Sequence, residues 1–315
     1  MTFDRKALLT HAEQSIARGS KSFAAASRLF DRATRERVWL LYAWCRACDD
    51  LADGQDHGGA LGDQAGAAER FATIRTRTDR AFAGEPTGDP AFDALGLLAR
   101  ECALTPAMAQ DVIAGFALDT EGWRPRTEAD MLRYCYHVAG AVGVMMAAVM
   151  GVPAQDDDTL DRACDLGLAF QLANIARDVA EDHAAGRCYL PSDWLDEAGI
   201  APEALMDRRH RAALTAMIGR LGVLEKGYAA SARIGARRLG FRQRWAVLAA
   251  AGIYGAILRE ALRRGETAFD ARITTSSAVK LGFVLRGFVE ALLPAANGGK
   301  PRLSRRELAA LTMRG

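Results

Sequence analysis

The 315-residue sequence predicts an all-α fold. Three observations carry this. Apolar residues recur at helical spacing along nearly the whole chain, period-two runs of Val, Ile and Thr are scarce, and Ala, Leu and Arg dominate. Helices are predicted near 3–17, 33–53, 64–83, 90–102, 105–119 and 127–150, then near 157–184, 204–238, 241–265, 275–293 and 303–313. Each break has a turn chemistry. Gly54 ends the second helix, GEPTGDP (84–90) the third and WRPR (123–126) the fifth. Pro153 ends the sixth. The stretch Pro191–Pro202, Gly265 and Pro294–Pro301 separate the later ones. No linker is long or polar enough to divide the chain, and no repeat of solenoid period occurs. One domain over 1–315 is expected.

Composition narrows the function. Lys+Arg is 41 and Asp+Glu is 39, a net charge of +2, on a half-hydrophobic chain. That excludes disorder and a disulfide-stapled mini-protein, and it argues against nucleic acid as a partner. The N-terminus MTFDRKALLTHAEQ has no apolar h-region, so no signal peptide and a cytoplasmic location are expected. The apolar stretch Val138–Val152, about 15 residues, is shorter than the roughly 18–20 that span a bilayer and reads as a buried core helix. Cys45, Cys48, Cys102, Cys135, Cys164 and Cys188 read as reduced thiols, because the lone CxxC has no second pair.

Two carboxylate stripes are informative. In YAWCRACDDLAD (42–53), Tyr42, Arg46, Asp49 and Asp53 fall within roughly 60° of one another on a helix, beside Val38. In QLANIARDVAED (171–182), Asn174, Asp178 and Asp182 are spaced i, i+4, i+8, with Gln171 beside them. That stripe continues the line of Leu160, Cys164, Gly167 and Leu168, so an apolar face becomes a carboxylate face. Both stripes lie in C-terminal halves of helices, where negative charge is disfavoured. Asp157, Asp161 and Asp165 share the spacing but sit toward a helix N-terminus, where the macrodipole accommodates anions. Alone, each stripe also fits a solvated acidic helix end. All-oxygen ligands point to a hard cation such as Mg²⁺, which binds through one or two carboxylates, waters and phosphates. EF-hand, P-loop, GxGxxG and di-iron Glu-x-x-His patterns are absent. Facing Asp stripes with Arg46 and Arg177 alongside suggest a diphosphate clamp.

Four segments in order resemble the squalene/phytoene synthases: GSKSF (19–23), the first Asp-rich motif (42–53), YCYHVAGAVG (134–143), and QLANIARDVAEDHAAGRCYLP (171–191) with its second Asp-rich motif. The likeness covers nearly the whole chain and is strongest to bacterial members that make phytoene. It implies an isoprenoid-synthase-type helical bundle around a deep apolar cavity. It implies Mg²⁺, with Mn²⁺ as a substitute, on Asp49, Asp53, Asn174, Asp178 and Asp182, and no NADPH. The implied reaction joins two geranylgeranyl diphosphates head to head, through a cyclopropyl diphosphate, with release of two diphosphates.

By the same resemblance, Arg46, Arg177, Lys21 and Arg272 face phosphate, and Ser22, Tyr42, Gln171, Tyr189 and Tyr254 bind substrate. Tyr134 is the proton-handling candidate, with released diphosphate sharing the role because a free tyrosine is a poor base at neutral pH. His137 and His183 lie off the stripes and read as structural or solvent-facing. A squalene or dehydrosqualene synthase using farnesyl diphosphate would share every residue named. A non-catalytic helical lipid-binding relative would be expected to lose the stripes. Carotenoid-pathway enzymes are implied partners. The basic tail (Lys300, Arg302, Arg305, Arg306 and Arg314 against Glu307) makes peripheral contact with an anionic membrane an expectation as well.

Overall fold

The computed structural model describes residues 4–55, 66–120, 122–294 and 303–311, with the side chains of Lys21, Ser22 and Thr120 outside the described set. Fourteen α-helices and no strand occur among the described residues. α1 (Arg5–Gly19) starts at the Asp4 cap, and Ser20 caps the short α2 (Lys21–Ser27) by accepting from the Phe23 N–H. α3 (Arg32–Asp53) starts at Asp31, which accepts from the Thr34 N–H, and stops at left-handed Gly54. α4 (Ala67–Ala83), α5 (Pro90–Glu101) and α6 (Pro106–Thr120) follow. A Thr127/Asp130 capping box starts α7 (Glu128–Cys135), which runs through a π-helical turn, Tyr136–Gly140, into α8 (Ala141–Val149). α9 (Asp157–Ala184), α10 (Ser192–Glu197), α11 (Arg211–Ala236), α12 (Phe241–Arg264), α13 (Ser277–Leu292) and α14 (Arg305–Ala310) complete the chain.

α9 is the central pillar. It packs against α8, the π turn, α11 and α12. Glycines set how closely: a Cβ on Gly167 would lie 2.2 Å from the Ala139 carbonyl oxygen, and one on Gly143 would lie 2.3 Å from that of Ala163. No side chain fits at either crossing. One contiguous core of buried residues runs from Leu8 to Leu308.

The structure departs from the sequence expectations in six places. α2 and α10 replace expected loops, because Ser20 and the Pro191 backbone start short helices. The helix expected from 204 begins at Arg211, after two 3₁₀ turns at Pro202–Ala204 and Arg208–His210. The π turn interrupts the expected 127–150 helix. The apolar stretch from Val138 belongs to a longer run, Glu128–Val149, which with Phe241–Phe269 is long and apolar enough to cross a membrane; these runs are 67% and 50% buried inside the protein. Asp161 and Asp165 are buried rather than helix-end acids facing water. Arg305 and Arg306 pair with Asp157, and Arg305 also with Asp161, so they anchor α14 instead of forming a free basic tail. Lys300, Arg302 and Arg314 lie outside the described residues.

Candidate active site

The C-terminal end of α3 meets the turn after α9 through the Arg187–Asp53 ion pair, and the α9 stripe reaches an apolar cavity of about 300 Å³ at Asn174. α2 supplies Phe23, Ala26 and Ser27 to its lining, the π turn and α8 supply Val138, Ala139, Val142, Gly143 and Met146, and α9, α11 and α12 close it. The apolar run Val138–Val152 read from the sequence supplies this wall through residues from Val138 to Met150. The cavity turns polar at Gln171, Asn174 and Tyr254.

On α3, Arg46 reaches Asp49 at 3.0 Å and Asp50 at 2.5 Å. Asp49 keeps some contact with solvent but sits deep in the cleft. Desolvation raises its pKa to about 6 against the pull of Arg46. Tyr42 stacks on Phe23 with ring centres 5.7 Å apart, and burial pushes its hydroxyl up to about 12. Lys21 and Ser22 lie on α2, but their side chains are outside the described residues.

On α9, the Asn174 amide nitrogen donates to Gln171 at 3.3 Å, while its buried carbonyl oxygen has no hydrogen-bond partner. Asp178 is gripped by Arg177 at 2.5 Å and by Arg272 at 2.9 Å. Burial and neighbouring Asp178 raise the Asp182 carboxyl to about 7. Tyr254 stacks on Phe170 at 4.0 Å beside this cluster.

Two groups escaped the sequence reading. Arg187, in the turn after α9, bonds Asp53 at 2.7 Å and ties the two stripes together. The GR-x-Y-x-P turn held its signal, but the spacing did not say which carboxylate it would meet. Asp119, at the end of α6, accepts hydrogen bonds from Tyr189 at 2.8 Å and Tyr134 at 3.1 Å. Burial raises it to about 6 despite those bonds and Arg187. Only an aspartate closing an apolar helix run hinted at it.

The structure places Tyr134, the proton-handling candidate, against Asp119 and behind the cavity lining. It lines no part of the cavity. Its ring stacks on Trp123 at 5.8 Å and Tyr189 at 4.7 Å, and its hydroxyl donates to Asp119. Burial, then the Asp119 charge, push its pKa well above the usual phenol value. It holds its proton and acts as a donor. Tyr189 is likewise buried, with its hydroxyl on Asp119 rather than free at a phosphate site. His137 is structural: its Nδ1 lies 2.8 Å from the Asp111 carbonyl oxygen.

No group of three or more His, Cys, Asp or Glu among the described residues forms a ready cage for a metal ion. The donors still suit a hard cation. All are oxygens, Asn174 presents an orphaned buried carbonyl oxygen, and half-buried Asp182 has its carboxyl raised by desolvation and by the charge of Asp178, which a cation would relieve. Mg²⁺ asks for few protein ligands when substrate phosphates supply the rest.

Residues 16–279 match the squalene/phytoene synthase family. A phytoene synthase from Pseudescherichia vulneris is 48% identical over 280 residues, covering 88% of this chain and 90% of its own. A 15-cis-phytoene synthase from Pantoea ananas is 43% identical over 301 residues, covering 94% and 96%. Among solved structures, a dehydrosqualene synthase in complex with ligand has a TM-score of 0.79 at 25% identity, over 90% of this chain and 96% of that one. Squalene synthase HpnC from Alicyclobacillus acidocaldarius has a TM-score of 0.74 at 24% identity, over 84% and 97%.

Proposed function

The chain belongs to the squalene/phytoene synthase family, and from that premise we propose that it condenses two geranylgeranyl diphosphates head to head into phytoene. It is a prenyl-transferring enzyme of carotenoid biosynthesis. The observation that carries this reading is the joining of two acidic helix ends through Arg187 and Asp53, with Asn174 of the second stripe lining an apolar cavity.

Asp49, Asp53, Asn174, Asp178 and Asp182 would hold Mg²⁺ together with substrate phosphate oxygens. When bound, the ion supplies charge neutralisation for a departing diphosphate. The chain's own groups do the rest. Arg46, Arg177, Arg187 and Arg272 are now held by carboxylates and can hand their N–H donors to phosphate oxygens as those carboxylates turn to cation binding. Gln171 and Tyr254 mark the boundary where diphosphate gives way to prenyl chain. The Val138–Met150 wall keeps water from the allylic and cyclopropylcarbinyl cations. The stacked Phe170 and Tyr254 rings offer π faces to the same positive charge. Tyr134 and Tyr189 stay protonated on Asp119, so the proton lost in the last step goes to released diphosphate.

The test is product identification. Purified protein is incubated with Mg²⁺ and, separately, geranylgeranyl or farnesyl diphosphate, with and without NADPH. A forty-carbon triene-bridged hydrocarbon formed from geranylgeranyl diphosphate without NADPH is the expected product. A thirty-carbon product alone would overturn the assignment.

A further inference from the structure

α13 is apolar on two sides. Its inner side packs on α12 with no room to spare: a Cβ on Gly287 would lie 2.8 Å from the Ala249 nitrogen, and the Trp245 indole donates to the Val284 carbonyl at 2.7 Å. Helical spacing places Leu281, Leu285, Phe288, Val289 and Leu292 together on the opposite side. Four of them, Leu281, Leu285, Val289 and Leu292, are each about 60% exposed. Phe241 of α12 extends the patch, edge-on to Phe288 at 5.6 Å. Single exposed leucines are ordinary on a protein surface, whereas a contiguous stripe along a helix marks a contact surface.

The charges beside the stripe are mainly basic, with Glu225 as an opposing acid near Arg259. Arg286 is exposed on α13, and Arg259 lies over the Phe283 ring at 5.6 Å. Arg244 and Arg237 reach the Ala291 and Pro294 carbonyls where α13 ends. Glu290, the one acid of α13, is neutralised by Arg233 at 2.5 Å. Burial lowers the Arg259 pKa; Glu225 opposes that shift, and the charges of Arg233 and Arg286 add to it.

We propose that the outer face of α13, with Phe241, docks on an anionic lipid bilayer, with the helix lying in the plane of the interface. Acyl chains would cover the leucine stripe and acidic headgroups would meet the arginine rim. A second copy of the chain fits less well. A two-fold contact would set one arginine rim against its twin, and like charges repel. The surface also lies one helix away from the cavity, since α12 both carries α13 and lines the cavity with Ala246, Val247 and Ala250.

The test is co-sedimentation of the full chain with vesicles of phosphatidylcholine alone and of phosphatidylcholine with about 30 mol% phosphatidylglycerol. The chain is expected to bind the anionic vesicles at low salt, to be released by high salt, and to bind the neutral ones less. Leu285→Asp/Val289→Asp should weaken binding by about tenfold or more. Arg286→Glu should remove much of the preference for anionic vesicles. Both positions face outward, so circular dichroism and the melting temperature should stay near those of the parent and report proper folding. Three results would overturn the proposal: no binding to either vesicle, binding unchanged in the folded double variant, or a light-scattering dimer that the double variant splits into monomers.

Discussion

Asp178 has two arginine partners and Asp49 has one, and these pairs define what each residue does without substrate. Both carboxylates are part-exposed and sit outside the main core, so removing either should cost little fold stability. Asp49→Ala or Asp178→Ala is expected to abolish Mg²⁺-dependent diphosphate release and to leave the helical circular-dichroism spectrum intact. Full turnover in either variant would sink the metal assignment. Arg187 is different because it joins the stripes. Arg187→Ala removes the ion pair that joins the stripes and one of the arginines that can meet phosphate. Turnover should fall by two orders of magnitude or more, on the roughly 2–4 kcal/mol scale of a lost charge-stabilising donor. Steady-state kinetics checks it.

A second residue-scale prediction concerns stability. Asp165 is fully buried, and burial raises its pKa to about 7 despite the side-chain hydrogen bond of Ser231 and the pull of Arg162. An acid whose pKa is higher folded than unfolded binds more protons in the native state. Its stability contribution is therefore present at low pH and lost as pH rises from about 4 to about 7. Asp165→Asn removes that loss. The variant should be more stable than the parent at pH 8 by about 1–3 kcal/mol, and the gap should close toward pH 5. Urea unfolding at the two pH values measures it. An equal gap at both would show that the carboxyl is not the cause.

Among the helices, the close crossing of α9 with the π turn and α8 matters most for the cavity. Alanine at 167 would gain about 1 kcal/mol of helix propensity, but its methyl would collide with the Ala139 carbonyl. The collision is with backbone, so neither partner can step aside by changing rotamer. Overpacking of this kind costs about 1–3 kcal/mol, occasionally more. Gly167→Ala should be destabilised in urea by up to about 2 kcal/mol net, and it should lose turnover more than its stability loss explains, because Ala139 lines the cavity. Unchanged kinetics would mean that this wall does not shape the substrate. The π turn beside it is locked by Tyr136 donating to Asp111 at 2.7 Å and by His137 against the Asp111 carbonyl. That one-residue surplus sets which side chains of the 136–140 turn face inward.

For the molecule as a whole, the fold is held by the continuous core from Leu8 to Leu308, and all six cysteines are free thiols. Chelation with EDTA should therefore stop diphosphate release while helical content and melting temperature change little. A large drop in melting temperature on chelation would assign the ion a structural role instead. Restoring excess Mg²⁺ should return activity fully, since nothing unfolds in between.

The sequence by itself determined the helical class, most helix positions and both acidic stripes. These are local properties: apolar period, Gly and Pro punctuation, and carboxylates four residues apart lie within one helix and can be read along it. It also marked the Val138–Val152 run as apolar and buried, and that run supplies the cavity wall. Tertiary structure alone decided which groups meet. Asp119 and Tyr134 are 15 positions apart and Arg187 and Asp53 are 134 apart, and no spacing rule encodes either contact. Burial set the Tyr134 hydroxyl on Asp119 and raised the Asp165 carboxyl far above its usual value. It left the second apolar side of α13 facing outward. The physical reason is the same in each case: a side chain's charge state and role depend on what surrounds it, and in this bundle the surroundings come from helices far apart along the chain.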